Sequence, residues 1–253
     1  MIFRLRSAAL AAALTAAVVL SAWAAGAAGA EEVYWSAARS LPVYSVERED
    51  NAVSITFDCA WGTEHTDAIL QALEEANVKA TFFTVQFWAE EHPDYLRKID
   101  EAGHEIGTHS ATHPKMSQLS EEGIRTELTT SSRAITEVTG KAVTLFRPPF
   151  GDYDNAVIDT SRSLGLMPVQ WDVDSLDWKD LSAKEIAERV VSKTRSGSII
   201  LCHNNGLNTA EALPVILDTL RARGFTFVPV GELIYRDHYT IDHTGRQFAA
   251  AGN

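Results

Sequence analysis

The chain has few cysteines and few basic residues for its length. Of its 253 residues, two are cysteine and 22 are lysine or arginine, against 34 aspartates and glutamates, which gives a formal net charge of −12. No long run of lysine or arginine occurs. Because nucleic-acid binding needs a concentrated basic face, we exclude nucleic acid as a partner.

Internal repeats and low-complexity tracts are also absent after residue 30. Apolar residues make up 45% of the chain, a larger share than is typical of disordered proteins. A chain of this length is sufficient for one domain with a full hydrophobic core. We therefore expect a single domain that acts as a monomer.

The first 30 residues have the composition of an export signal. Arg4 and Arg6 precede an alanine-rich apolar run, and the small residues 28–30 precede two glutamates. A basic start, an apolar middle and a small-residue end are the parts of a secretory signal. The alternative is a membrane anchor formed by residues 7–30, since this run is long enough to span a bilayer. Both interpretations place the rest of the chain outside the cytoplasm: secreted, in the cell wall or at the outer face of the membrane.

Segments with strand and helix periodicity alternate along the rest of the chain, which predicts an α/β protein with a parallel sheet. The predicted strands are 53–57, 80–85, 104–108, 144–147, 167–171, 198–202 and 225–228. The predicted helices are 66–76, 89–102, 120–138, 154–164, 182–193 and 209–223. An open doubly wound sheet is the alternative, but we favour a single-domain (β/α) barrel with about seven parallel strands and its site at their carboxyl ends.

Polar side chains occur where these predicted strands end. They are Asp58, His109, His113, Arg147, Asp174, Asp177 and His203. Because the carboxyl ends of parallel strands meet at one rim, we expect these side chains to converge there. Their shared placement carries more weight than any one of them alone.

His109 and His113 are four positions apart, a spacing at which two imidazoles can reach one cation. Zinc proteases with this spacing have a glutamate after the first histidine, whereas this chain has Ser110. A protease of that type is therefore disfavoured. The alternative is a pair of unrelated loop histidines, and convergence at the rim argues against it.

Acid–base roles suit the other rim residues. Asp58 is a candidate general base, and Arg147 would keep it ionised by pairing with it. His203 ends a very apolar strand, so its ring needs a polar partner, either Asp174 or Asp177. A carboxylate partner would raise the pKa of His203 and suit it to protonate a leaving amine. Each residue also has a purely structural alternative. Asp58 could be a loop anchor, Arg147 a surface arginine and His203 a core histidine with satisfied hydrogen bonds.

With these residues in view, the chain resembles the polysaccharide deacetylases with a NodB-like domain, which form carbohydrate esterase family 4. The resemblance runs from about Val53 to Ile234. It is carried by motifs at residues 56–58, 109–113, 147–151, 174–178 and 201–203. It implies a distorted (β/α) barrel, a divalent metal cofactor and an N-acetylated polysaccharide substrate, with peptidoglycan or a chitin-like polymer as the candidates.

The resemblance also implies roles for individual residues. The implied catalytic residues are Asp58, Arg147, Asp174 and His203. The implied metal ligands are His109 and His113, and the implied walls of the sugar pocket are Phe150 and Trp178. On this basis we divide the chain into a signal or anchor (residues 1–30), a lead-in segment (31–50), the deacetylase domain (51–235) and a polar tail (236–253).

One position departs from the family pattern. The family has a second aspartate after the base, a metal ligand, where this chain has Cys59. In this respect the chain resembles a divergent, sporulation-associated branch of the family, which also varies at this position. Cys59 is either a thiolate ligand that favours zinc, a residue that does not bind the metal, or half of a disulfide with Cys202. In a closed seven-strand barrel the two strands would lie about 10 Å apart, which disfavours a disulfide.

The departure at Cys59 leaves two functions open. We expect a metal-dependent N-deacetylase with zinc as the first candidate metal and Cys59 as its third ligand. The alternative is a glycan-binding protein on the same fold that has lost catalysis.

Overall fold

A curled parallel sheet with helices on its outer side forms the centre of the molecule. The computed structural model describes residues 39–250. The predicted export signal or anchor therefore lies outside the described residues. Within that range no helix combines the length and apolarity needed to cross a bilayer.

The predicted strands and helices are present, and the structure adds short strands at 45–46, 173–174, 239–241 and 246–249 and a helix at 230–233 that were not predicted. The strands are β1 (Ser45–Val46), β2 (Ala52–Cys59), β3 (Thr81–Thr84), β4 (Glu105–Thr108), β5 (Leu145–Phe146), β6 (Met167–Pro168), β7 (Val173–Asp174), β8 (Ile199–His203), β9 (Thr226–Phe227), β10 (Tyr239–Ile241) and β11 (Arg246–Ala249). The helices are α1 (Thr66–Glu75), α2 (Gln86–Glu91), α3 (Pro93–Glu101), α4 (Glu121–Thr139), α5 (Asn155–Ser163), α6 (Ala183–Lys193), α7 (Thr209–Ala222) and α8 (Val230–Leu233).

The main sheet has the strand order β6-β5-β4-β3-β2-β8-β7, and all of its pairs are parallel. It curls into a half-barrel, so the predicted distorted (β/α) barrel is confirmed. The register sets Asp58 of β2 opposite His203 of β8. The carboxyl ends of the strands therefore bring these two distant residues together.

The predicted separation of β2 from β8 is wrong. Strand β8 pairs with β2 directly, from Ser54 to Asp58, whereas β9 pairs only with Ala52 and Val53 at the start of β2, on the edge that β3 occupies further along. Cys202 consequently lies opposite Phe57 on the neighbouring strand. Cys59 and Cys202 are nevertheless both free and buried.

Local sequence signals explain the helix boundaries. The Ser120 side chain accepts a hydrogen bond from the Gly123 amide, and Ser182 begins α6 with a full capping box. The helix predicted over 89–102 is two helices that meet at His92. Pro93 causes the break, because proline disfavours helical geometry in the residue before it and is well suited to a first turn.

Two apolar layers lie on either side of the sheet. The outer layer joins the sheet to helices α1, α2, α3, α6 and α7, and it contains Phe57, Cys59 and Trp88. A second cluster, which includes Phe83 and Leu145, packs between the other side of the sheet, the lead-in segment and α8. Alternate residues of a strand point to opposite faces, so β2 contributes to both layers.

The lead-in segment and the tail meet in a second, three-stranded sheet. Its order is β1-β11-β10, with β1 parallel and β10 antiparallel to β11. The segment predicted as a polar tail therefore forms ordered strands. The proposed domain boundaries themselves stay a prediction.

Candidate active site

A cavity of about 480 Å³ opens at the carboxyl ends of the strands. Its lining includes five of the seven side chains predicted to converge there and both implied walls of the sugar pocket. They are Asp58, His109, His113, Asp174 and His203, with Phe150 and Trp178 as the walls, together with Ala60, Trp61, Trp171, Leu201 and Asn205. The convergence predicted at the rim is thus present in the structure, although the roles of these residues stay predictions.

Asp58 and Arg147 form a buried ion pair beneath the cavity. Arg147 Nη1 donates to Asp58 Oδ1 at 2.7 Å and to Thr56 Oγ1 at 2.8 Å, and its Nη2 donates to the Gln170 carbonyl at 3.1 Å. The guanidinium lies 4.1 Å from the ring centroid of Phe83, and Arg147 is 0% exposed. The predicted alternative of a surface arginine is therefore wrong.

Electrostatics keep Asp58 ionised. Burial alone would raise the pKa of this carboxyl, but the charge of Arg147, the nearby imidazoles and the hydrogen bond from Arg147 outweigh burial and lower it. Its second oxygen, Oδ2, lies 3.5 Å from His109 Nε2. Asp58 is thus a carboxylate with one oxygen paired and the other directed to the histidines.

His109 is oriented by its other ring nitrogen. The His109 Nδ1 lies 2.7 Å from the Arg147 carbonyl oxygen, so the neutral ring carries its proton there and leaves the Nε2 lone pair available. Burial lowers the pKa of His109, and burial together with His109 lowers the pKa of His113 to about 4. The two rings, whose centroids are 4.9 Å apart, are therefore uncharged and lie on one side of the cavity, where they could donate lone pairs to a cation.

The loop that carries the histidines is held by a residue that we did not predict. Glu127 of α4 accepts hydrogen bonds at 2.8 Å from the amides of Ala111 and Thr112 and from the Thr112 hydroxyl. Glu127 stands on a mostly polar helix and outside every motif, so only a neighbouring loop with unpaired amides could have indicated it. The same loop contains two residues in the left-handed region, Ser110 (φ 73°) and His113 (φ 57°).

His203 takes its carboxylate partner from Asp177 rather than Asp174. Asp177 Oδ1 lies 2.7 Å from His203 Nδ1, and Asp177 Oδ2 accepts from the His203 amide and the Thr209 hydroxyl. Asp174 instead accepts from the Leu176 amide at 2.8 Å and lines the cavity. Of the two candidate partners, Asp177 is therefore the one that contacts the imidazole, because the turn after β7 directs the later carboxylate under β8.

The Asp177 pair sets the charge of His203. Burial alone would lower the pKa of this imidazole, but the hydrogen bond and the charge of Asp177, helped by Asp58 and Asp174, outweigh burial and raise it. Asp177 itself is fully buried, and burial would raise the pKa of its carboxyl. The hydrogen bonds and the charge of His203 outweigh burial and lower the pKa of Asp177. The cavity therefore contains a carboxylate base on β2 and a protonatable imidazole opposite it on β8.

Cys59 does not join this cluster. Its thiol lies in the outer apolar layer, with the Phe57 carbonyl as its nearest polar contact at 4.0 Å, and it does not line the cavity. Burial raises its pKa well above the ordinary value, so the thiol is neutral. This placement argues against thiolate ligation and removes the reason for preferring zinc that rested on sulfur.

A two-histidine cation site therefore fits the structure only in part. The orientation of His109 by a backbone carbonyl is typical of a histidine ligand. Within residues 39–250, however, no three histidine, cysteine, aspartate or glutamate side chains are grouped so as to hold a metal ion. The two imidazoles suit a cation, whereas the Cys59 thiol lies in the apolar layer and does not line the cavity beside them.

Comparisons with known sequences agree with these motifs. The profile of the family described as polysaccharide deacetylase matches residues 45–169. Over 200 residues the chain is 32% identical to a peptidoglycan-N-acetylglucosamine deacetylase of Bacillus cereus, covering 77% of this chain and 93% of that protein. It is 33% identical over 193 residues to the uncharacterized protein YlxY of Bacillus subtilis, covering 76% of this chain. The match spans only 60% of the length of YlxY.

A solved structure shares the fold. BA3943 from Bacillus anthracis, described as a CE4 family pseudoenzyme, matches with a TM-score of 0.74 at 33% identity, covering 76% of this chain and 68% of that chain. A BA3943 mutant described as having restored enzymatic activity matches with the same score at 34% identity, with coverages of 76% and 70%. This fold thus exists in forms described both as inactive and as active.

Proposed function

The chain belongs to the polysaccharide deacetylase family, and we propose that it is an exported, monomeric N-deacetylase that removes acetyl groups from peptidoglycan or a chitin-like glycan. The observation that carries this proposal is the pairing across one cavity of an ionised Asp58 with a protonatable His203. Hydrolysis of an amide needs a base to activate water and an acid to protonate the departing amine.

The base step follows from the ion pair. Arg147 holds one oxygen of Asp58, and the other oxygen faces the cavity, where it accepts a proton from the attacking water. His109 and His113 would hold a divalent cation, whose contribution when bound is to polarise the acetamide carbonyl and make water more acidic. Zinc stays the first candidate, now on the imidazole pair alone.

The acid step follows from the second pair. Asp177 holds His203 by Nδ1, which leaves Nε2 as the atom that delivers a proton to the amine. As the C–N bond breaks, the nitrogen takes this proton and leaves as the free amine of the glycan, and acetate remains. Phe150 and Trp178 would wall the sugar in the cavity.

The test is acetate release from N-acetylated glucosamine oligomers and from peptidoglycan. We expect release by the wild-type protein, loss of release with a chelator, and a decrease of about 10²- to 10⁴-fold in Asp58→Asn, the usual contribution of a general base. The control is Glu122→Ala, an exposed residue of α4 away from the cavity. Undiminished release by Asp58→Asn would exclude the proposed mechanism.

One observation favours a second candidate function, a glycan-binding protein without catalysis. The third-ligand position is occupied by a neutral thiol in the apolar layer, and BA3943 is described as a pseudoenzyme of the same fold. The intact Asp58–Arg147 and Asp177–His203 pairs argue for catalysis, because a binding cavity alone needs neither. Glycan binding without acetate release at any metal supplement would support this second function.

A further inference from the structure

Trp61 is a large aromatic side chain that the proposed reaction does not use. It is 56% exposed and lies at the rim of the cavity, in the loop after β2. Its ring meets the His113 ring edge-on at 5.0 Å and lies 6.4 Å from the Phe87 ring. Together with the exposed Phe150 and Trp178, which line the same cavity, the indole presents a flat apolar face that suits contact with a ligand.

The turn that carries Trp61 is held from below. The carbonyl of Gly62 accepts hydrogen bonds at 2.8 Å from Trp88 Nε1 and from Asn204 Nδ2. Both donors belong to residues that are at most 1% exposed. Gly62 has a φ of 63°, a conformation that suits glycine. The exposed indole is therefore fixed in place by buried groups, so little conformational entropy is lost when a ligand covers it.

Trp61 and Trp178 lie on opposite sides of the reacting groups. Trp61 follows β2 and leans towards His113, which follows β4, whereas Trp178 follows β7 at the other edge of the sheet. Asp58 and His203 lie on β2 and β8, which stand between β4 and β7 in the sheet. A glycan chain whose acetamide reaches Asp58 and His203 would thus pass over Trp61 on one side of the cavity.

We infer that Trp61 forms a separate sugar-binding subsite that stacks on the pyranose ring next to the one being processed, so that the chain recognises an internal unit of an N-acetylated polymer. Pyranose rings expose C–H groups on one face, and these pack against the flat indole. The inference rests on the proposed glycan substrate and is independent of catalysis.

The test measures binding of N-acetylglucosamine and of chitooligosaccharides of two to five units by calorimetry, in the wild-type protein and in Trp61→Ala. We expect Trp61→Ala to lower the affinity about tenfold for the oligomers and less than twofold for the monosaccharide N-acetylglucosamine, which cannot reach both positions, whereas Trp61→Phe keeps most of the affinity. The matched control is Val215→Ala, since Val215 is also 56% exposed but lies on α7, away from the cavity. Thermal unfolding of each variant establishes that it is folded.

The dependence on oligomer length separates a subsite from mere support of His113. Equal losses at every length, or no loss at any length, would overturn the subsite, and so would failure of the wild-type protein to bind any oligomer. Acetate release measured on the same samples tests the proposed function separately. A length-dependent loss of binding without acetate release would support the subsite and exclude the deacetylase.

Discussion

The two faces of strand β2 lie against very different surroundings, one polar and one apolar. Thr56 and Asp58 face the buried guanidinium of Arg147, and Asp58 reaches the cavity. Phe57 and Cys59 face the outer apolar layer. Adjacent residues point in opposite directions along a strand, so Asp58 and Cys59 enter environments of opposite polarity. The comparison teaches that adjacency in a motif does not imply a shared site.

The largest effect on stability is expected from Arg147→Met, which removes the ion pair on the polar face of β2. This change leaves the Asp58 carboxylate buried without its partner, so we expect the free energy of unfolding to fall by about 3–5 kcal/mol. Urea unfolding measures it. The double variant with Asp58→Asn should recover part of the loss, because it removes the stranded charge.

The same variant gives a pH test. The pKa of Asp58 is lowered in the folded protein, so the ion pair contributes stability above the ordinary aspartate pKa. That contribution is lost as the pH falls through the lowered value. The wild-type protein and Arg147→Met should therefore converge in acid, and a constant difference down to pH 2 would contradict this account.

Sequence periodicity was sufficient for the half-barrel and for the rim, because five of the seven predicted strands end in or are followed by polar residues that the parallel arrangement gathers. It was not sufficient for the partner of His203. Asp174 and Asp177 are three residues apart in one turn, and only the conformation of that turn decides which carboxylate reaches the imidazole. The place of β8 beside β2 was also missed, because periodicity predicts strands but does not determine which of them become neighbours in the sheet.

The next effect should come from Asp177→Asn. His203 must be protonated to act as an acid, and its pKa is raised by Asp177, so activity should persist until the pH rises through that value. The variant lowers this pKa and loses the fixed ring orientation. We expect acetate release to fall about 10²-fold, with the alkaline limb of the pH profile moved to lower pH.

Asp174→Asn is the matched control for Asp177→Asn. Asp174 acts on His203 only through its charge, without a hydrogen bond to the ring. The alkaline limb of the pH profile should therefore move less in Asp174→Asn than in Asp177→Asn. A larger movement in Asp174→Asn would restore the role that the family resemblance assigned to it.

Glu127→Ala should have a smaller effect on stability, through the loop beside the cavity that carries the histidines. Removing the carboxylate leaves the amides of Ala111 and Thr112 without their partner, and we expect the free energy of unfolding to fall by about 2 kcal/mol. Glu127→Gln keeps a carbonyl oxygen for both amides and should recover most of the loss. Hydrogen exchange at these two amides should quicken in Glu127→Ala and stay slow in Glu122→Ala.

The smallest effect on stability is expected from Cys59→Ala, a change on the apolar face of β2. Because the thiol contacts only the outer layer and stays neutral, its removal leaves a small cavity and costs about 1 kcal/mol of unfolding free energy. Metal content and acetate release should change less than twofold, as judged by elemental analysis and kinetics on the same preparation. A variant that loses its metal while keeping its fold would show that the Cys59 side chain turns to the cavity. The two faces of β2 would then contribute to one site after all.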